Sequence, residues 1–212
     1  MFEIRMQNAP SEKLIDAAKE ENLNWVIVHS YGHRVDDIPA LYGFDRKIYS
    51  LRKNRADIRR EMAGFEKLLL HAKKRGLKAA LHSYEVAYPN EIKQVYPELL
   101  KDGLCVSKPA VRELIAGRIA EIAKRFPQID CFIYAPAECM AHPINHSCAY
   151  CNEFKVQDKL KYLHDAIREG LDSVSPSKML CMRSWGLGGS SKSGAHPFLI
   201  DAKWRGNNPD YI

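Results

Sequence analysis

No apolar run in the 212 residues approaches the roughly 20 that a membrane helix needs, so no membrane span and no membrane partner are expected. The opening residues, Met1-Phe2-Glu3-Ile4-Arg5, lack the apolar stretch of a signal peptide; with Met1 as the start, a cytoplasmic protein is expected. No G-x-G-x-x-G follows the first strand-like run and no Walker motif occurs, which removes the usual support for a nucleotide-binding open sheet. Signals for antiparallel hairpins are scarce. Cysteine is sparse as well, with six in the chain. Three disulfides would suit a small secreted domain, not a chain of this length without a signal. Cys131 and Cys181 lie inside apolar runs and are expected to be reduced core residues.

What remains is an ordinary globular composition, 46% apolar and 27% charged, enough to bury a core. The net charge is +6. Its densest cluster runs from Arg46 to Arg60, with Lys47, Arg52, Lys53, Arg55 and Arg59 between them. Such a segment suits nucleic acid or an anionic glycan, but Asp57 and Glu61 interrupt the run, and the solvated side of a helix is the expected reading. Nucleic acid is therefore not the expected partner.

Short apolar runs alternate with helical patterns. Strands are expected at residues 25–29, 77–82, 131–135 and 179–183, their starts roughly fifty residues apart, and a further one at 2–6. Each is nearly continuous in apolar character, as expected of a parallel strand covered on both faces. Between them, Ser11 is a candidate cap for a helix carrying Leu14, Ile15 and Ala18. Residues 55–75 place Ile58, Met62, Phe65, Leu69 and Ala72 on one face, with Gly76 as the stop. Ser107 and Pro109 mark the start of a helix through Phe126, and Leu160, Leu163, Ile167 and Leu171 form another apolar stripe. The order predicts an α/β fold of parallel (β/α) units. Four or five strands make about half of a TIM-type (β/α)₈ barrel. Residues 1–212 are therefore expected to be a partial barrel whose chain continues, with unpaired edges that favour a homo-oligomer.

Chemistry in parallel α/β folds collects where strands end. The second expected strand ends in His82, Ser83 and Tyr84, the third leads to Glu138, and the fourth ends in Arg183, Ser184 and Trp185. Tyr84 and Trp185 offer flat faces to sugar C–H groups, and His82 and Arg183 offer hydrogen bonds; these are candidate substrate contacts. Glu138 follows Ile133-Tyr134-Ala135-Pro136-Ala137 directly. A carboxylic acid at such a lip, beside an apolar wall, can be held protonated and donate a proton. The stretch from Cys139 through His142, His146 and Cys148 to Cys151 is the densest set of metal-ligand types. Its C-x₂-C half and neighbouring imidazoles make it a candidate zinc site, with a disulfide or free thiols as the alternatives.

The run Leu104-Cys105-Val106-Ser107-Lys108-Pro109-Ala110-Val111-Arg112-Glu113, continuing through Phe126-Pro127 to Glu138, resembles the alpha-glucuronidase-like glycoside hydrolases. Gly76 to Pro89, Met179 to Arg183 and Lys203-Trp204-Arg205-Gly206-Asn207-Asn208-Pro209-Asp210-Tyr211 are similar to neighbouring segments of that family. The resemblance implies a (β/α)₈ catalytic domain and an inverting glycosidase that needs no cofactor. Glu138 is then the general acid and Asp210 a carboxylate activating water, and Lys203 joins Arg183 as a contact for a uronic carboxylate. The Cys148/Cys151 pair lies outside the glucuronidase pattern. Beta-hexosaminidases are the nearest rival, but they carry an Asp before the acid where this chain has Ala137. A reading of another class is a zinc-stabilised binding module using Cys139–Cys151 and the basic segment 46–60.

Overall fold

A computed structural model describes residues 4–29, 46–52, 55–83, 91–100, 105–134 and 148–182. Five strands form one sheet: β1 (Met6–Asn8), β2 (Trp25–His29), β3 (Lys78–Ser83), β4 (Ile129–Tyr134) and β5 (Met179–Met182). Among the described residues the helices between them are α1 (Glu12–Glu20), α2 (Arg46–Leu51), α3 (Arg55–Lys74), α4 (Ile92–Val95), α5 (Pro97–Leu100), α6 (Pro109–Arg125) and α7 (Val156–Asp172).

The strands lie side by side in chain order, β1-β2-β3-β4-β5, and every neighbouring pair is parallel. An order without reversal matters. Right-handed crossovers that always step the same way place every connecting helix on the same face. A doubly wound sheet would reverse and carry helices on both. Val26 and Val28 of β2, Ala79 and Leu81 of β3, Phe132 and Tyr134 of β4 and Leu180 of β5 share one core with the apolar stripes of α1, α3, α6 and α7. The alternate residues Trp25, Ala80 and Cys131 form a second cluster, with Ile27, Ile133, Met179 and Cys181 packed against it. No helix residue joins that cluster among the described residues. A singly wound sheet with one helix-covered face is the architecture of part of a TIM-type (β/α)₈ barrel, whose bare face lines the interior.

The local signals act as the sequence reading expects at α1 and α3. Ser11 Oγ accepts from the Leu14 N–H at 3.3 Å and caps α1. Ile58, Met62, Phe65, Leu69 and Ala72 are all buried. Gly76 stops α3 with φ +70°, where the Leu77 N–H reaches the Ala72 carbonyl at 3.0 Å.

Two expectations are corrected. The first described strand is Met6–Asn8; of the expected 2–6 it contains Met6, Ile4 and Arg5 precede it, and residues 2–3 lie outside the described residues. The Asn24 and Trp25 N–H groups both donate to the Arg5 carbonyl, and the ladder then pairs Met6 with Trp25 and Asn8 with Ile27. Backbone pairing with β2, not the apolar alternation of 2–6, sets its position. At α6, Ser107 is not the cap: Lys108 holds that position without a side-chain bond, and Pro109 opens the helix.

Cys131 and Cys181 are free thiols, their sulfurs 3.5 Å apart on the bare face. No helix among the described residues is long and apolar enough to cross a membrane.

Candidate functional site at the strand ends

The register aligns the ends of three strands. Ser83 lies opposite Tyr134, and Tyr134 opposite Met182. The chain therefore leaves β3, β4 and β5 at one level, the C-terminal edge of the sheet. In sequence, Tyr84 comes directly after Ser83, Glu138 four residues after Tyr134, and Arg183 directly after Met182.

His82 is the expected substrate contact that falls among the described residues. It is 5% exposed, and it sits across from Ile133 of the bare-face cluster. Strand alternation therefore puts it on the face that a barrel would enclose. Tyr84, Glu138, Arg183, Trp185, Lys203 and Asp210 lie outside the described residues, as do Cys139, His142 and His146.

Two buried polar groups join this edge to the helix layer. Tyr134, the last residue of β4, holds its hydroxyl 3.0 Å from Nδ1 of His164 on α7. Around the entry to α7, Phe154 meets Tyr162 edge to face at 5.5 Å, and the Arg112 guanidinium stacks 4.6 Å from the same Tyr162 ring.

At the same end of the helix layer the structure assembles three thiols. Cys105 precedes α6; Cys148 and Cys151 precede α7. Their sulfurs all lie within 4.8 Å of one another, offering three ligand atoms to a single metal ion. Burial raises the Cys105 thiol above its ordinary value; the polar groups of Ser107 pull against this without cancelling it. Burial acts upward on Cys151 too. There the hydrogen bonds of the Cys148 backbone, the neighbouring thiols and Lys159 prevail, so Cys151 is lowered. Cys105 is the member that sequence spacing did not reveal, because it stands in the preceding (β/α) unit. The signal that finds it is positional: cysteines stand just before the helices of two consecutive units.

The opposite end of the sheet holds a cleft of about 260 Å³ between Trp25, Lys78, Asp130, Ser175, Lys178 and Met179. Lys178 is tied there to the Pro127 and Ile129 carbonyls, and burial lowers its ammonium. These residues begin strands, and that end of a barrel serves stability rather than chemistry. In the basic segment, four cations meet groups of the chain itself. Arg52 pairs with Glu91 at 3.0 Å, Arg60 with Asp57 at 2.6 Å, Arg55 reaches the Ser50 carbonyl, and Arg59 the Tyr49 hydroxyl.

Neither protein-family profiles nor curated proteins match the chain. Solved structures do. One is a GH138 enzyme targeting pectin rhamnogalacturonan II, at a TM-score of 0.55 and 15% identity, covering 82% of this chain and 19% of that one. Another is a GH36 alpha-galactosidase from Geobacillus stearothermophilus in complex with stachyose, at a TM-score of 0.52 and 17% identity, covering 85% of this chain and 28% of that one. The chain thus spans under a third of the length of either structure, and at these identities the likeness speaks to the fold.

Proposed function

We propose that residues 1–212 are part of the (β/α)₈ catalytic domain of a glycoside hydrolase, acting by inversion on a glycoside that carries a uronic acid. The observation that carries this reading is the common level at which β3, β4 and β5 end, the edge where barrel enzymes keep their chemistry; Tyr84, Glu138 and Arg183 follow these strands in the sequence. The likeness to two glycoside hydrolases supports it. Glu138 is the proton donor to the leaving oxygen and Asp210 activates the water. Inversion needs the two carboxyl groups roughly 6.5–9.5 Å apart, to leave room for that water. His82, Tyr84 and Trp185 hold the sugar, and Arg183 and Lys203 meet its carboxylate through charge-assisted bonds.

The test is to incubate the complete protein with uronides and with matched neutral glycosides, and to read the anomer of the first product by NMR before mutarotation. Preferential cleavage of uronides with inverted product is expected. Retention would overturn the inverting assignment, equal rates would overturn the uronide preference, and no cleavage of any glycoside would overturn the hydrolase.

The binding-module reading gains from the three-thiol cluster, which fits its metal half. Its basic half is weakened by Arg52, Arg55, Arg59 and Arg60, whose guanidinium groups are engaged within the chain.

A further inference from the structure

We propose that Cys105, Cys148 and Cys151 bind one zinc ion as thiolates and thereby fasten the segment entering α6 to the segment entering α7. The inference stands on geometry and does not depend on the hydrolase reading.

The fold brings these cysteines together. In a singly wound sheet, consecutive helices pack side by side with their N-termini at the same end. α6 and α7 are such neighbours, and Cys105 and Cys151 each stand a few residues before their helix. Cys148 and Cys151 are held in a tight turn, in which the Cys151 and Asn152 N–H groups both donate to the Cys148 carbonyl at 3.0 and 3.1 Å. That turn sets their sulfurs 3.6 Å apart. A tetrahedral zinc with bonds of about 2.3 Å to sulfur requires neighbouring sulfurs about 3.8 Å apart. The third sulfur, from Cys105, lies within the same 4.8 Å span and is fully buried. Small adjustments of the three sulfurs, the Cys148–Cys151 pair by about 0.2 Å, close three corners of the tetrahedron. A water or a further donor takes the fourth.

The surroundings suit a thiolate cluster. Ser107 lies two residues past Cys105 and is 4% exposed, and its backbone and side chain both act on the Cys105 thiol. A hydroxyl so placed is a ready donor to a sulfur that has lost its proton. Lys159, from the first turns of α7, is 6% exposed and reaches Cys151. Binding replaces three thiol protons, released to solvent, by one divalent ion. The cluster is left with one net negative charge, which the Lys159 ammonium balances. Soft sulfur donors in a tetrahedral, redox-silent arrangement select zinc over the hard cations.

The experiment is metal analysis of the complete chain purified under reducing conditions, without added metal. About one zinc per chain is expected to survive desalting. Cys105→Ser should lower that stoichiometry at least tenfold, Cys105→His should restore most of it, and Cys181→Ser should leave it unchanged. Should Cys105→Ser fail to fold, cobalt titration of the chelator-stripped parent replaces it: a sulfur-to-cobalt charge-transfer band saturating at one equivalent and abolished by zinc supports the site. The proposal is overturned by a parent without zinc that shows no such band, by another metal in its place, by a Cys105→Ser chain that keeps its zinc, or by a Cys148–Cys151 disulfide that takes up no zinc after reduction. None of these readouts uses a substrate, so they fail or succeed independently of the glycosidase assay.

Discussion

Tyr134 and His164 are joined by a hydrogen bond of 3.0 Å between a phenol and an imidazole nitrogen, both buried. Tyr134 ends β4, and His164 lies in the middle of α7. The bond therefore fixes the strand end from which the sequence runs on to Glu138, while Cys148 and Cys151 hold the far end of the same β4–α7 connection.

Removing that hydroxyl tests the anchor. Tyr134→Phe keeps the ring packing and takes away a partner of His164 Nδ1. The expected loss is about 1–2 kcal/mol, the usual cost of stripping a buried polar group of a hydrogen bond. Urea unfolding of parent and variant measures it, and a difference below about 0.3 kcal/mol would mean the bond contributes nothing to the anchor.

Gly170 decides how closely α6 and α7 approach. A Cβ there would stand 2.4 Å from the Ala116 carbonyl oxygen and 3.0 Å from the Ile119 Cβ. Backbone cannot yield as a flexible side chain does, so Gly170→Ala should destabilise by about 1–3 kcal/mol although alanine is the better helix former. Gly64 and Gly117 are also helical, but nothing stands within 4 Å of a Cβ at either. There the helix preference is unopposed, and alanine should stabilise by roughly 0.5–1 kcal/mol. Chemical denaturation of the three variants gives the signs; a stabilising Gly170→Ala would show that the two helices are not held at this distance.

The contrast between those glycines is invisible in sequence, and the same holds for the site. Four strands were legible because each is a short, nearly uninterrupted apolar run, and α3 because its apolar residues keep a helical period up to Gly76. β1 was displaced because Gln7 and Asn8 are polar, and their backbone pairing with β2 leaves no trace in composition. The C-x₂-C pair was legible as a local spacing. Cys105 was not, since only the stacking of two consecutive (β/α) units brings it to Cys148 and Cys151. Ser107 read as a helix cap, because Ser before Pro is a common start, and it turned out to sit beside a cysteine instead.

The bare face carries a consequence for the 212-residue chain taken by itself. Ile27, Ile133, Met179 and Cys181 are half-buried there, and no helix residue joins their cluster among the described residues. β1 and β5 bound the described sheet as its outer strands. Sheet edges without a partner strand among the described residues, beside partly exposed apolar residues, favour self-association. Light scattering coupled to size exclusion should show dimers or larger species at micromolar concentration. A monomer that melts in one cooperative transition would count against the partial-barrel organisation.

The assignment of Glu138 as the acid is tested by its dependence on the leaving group. A sugar alkoxide leaves poorly unless it is protonated as the bond breaks, whereas a nitrophenolate needs little help. In the complete enzyme, Glu138→Gln keeps the size and hydrogen-bonding capacity of the side chain and removes its proton. Turnover of natural glycosides should fall by about 10²-fold or more, the range of general acid catalysis, with KM little changed. Aryl glycosides with acidic phenols should lose far less, and the loss should grow steadily as the phenol becomes more basic. A uniform loss across the series would assign Glu138 to binding or folding rather than proton donation, and an unchanged rate on every substrate would remove it from the active site.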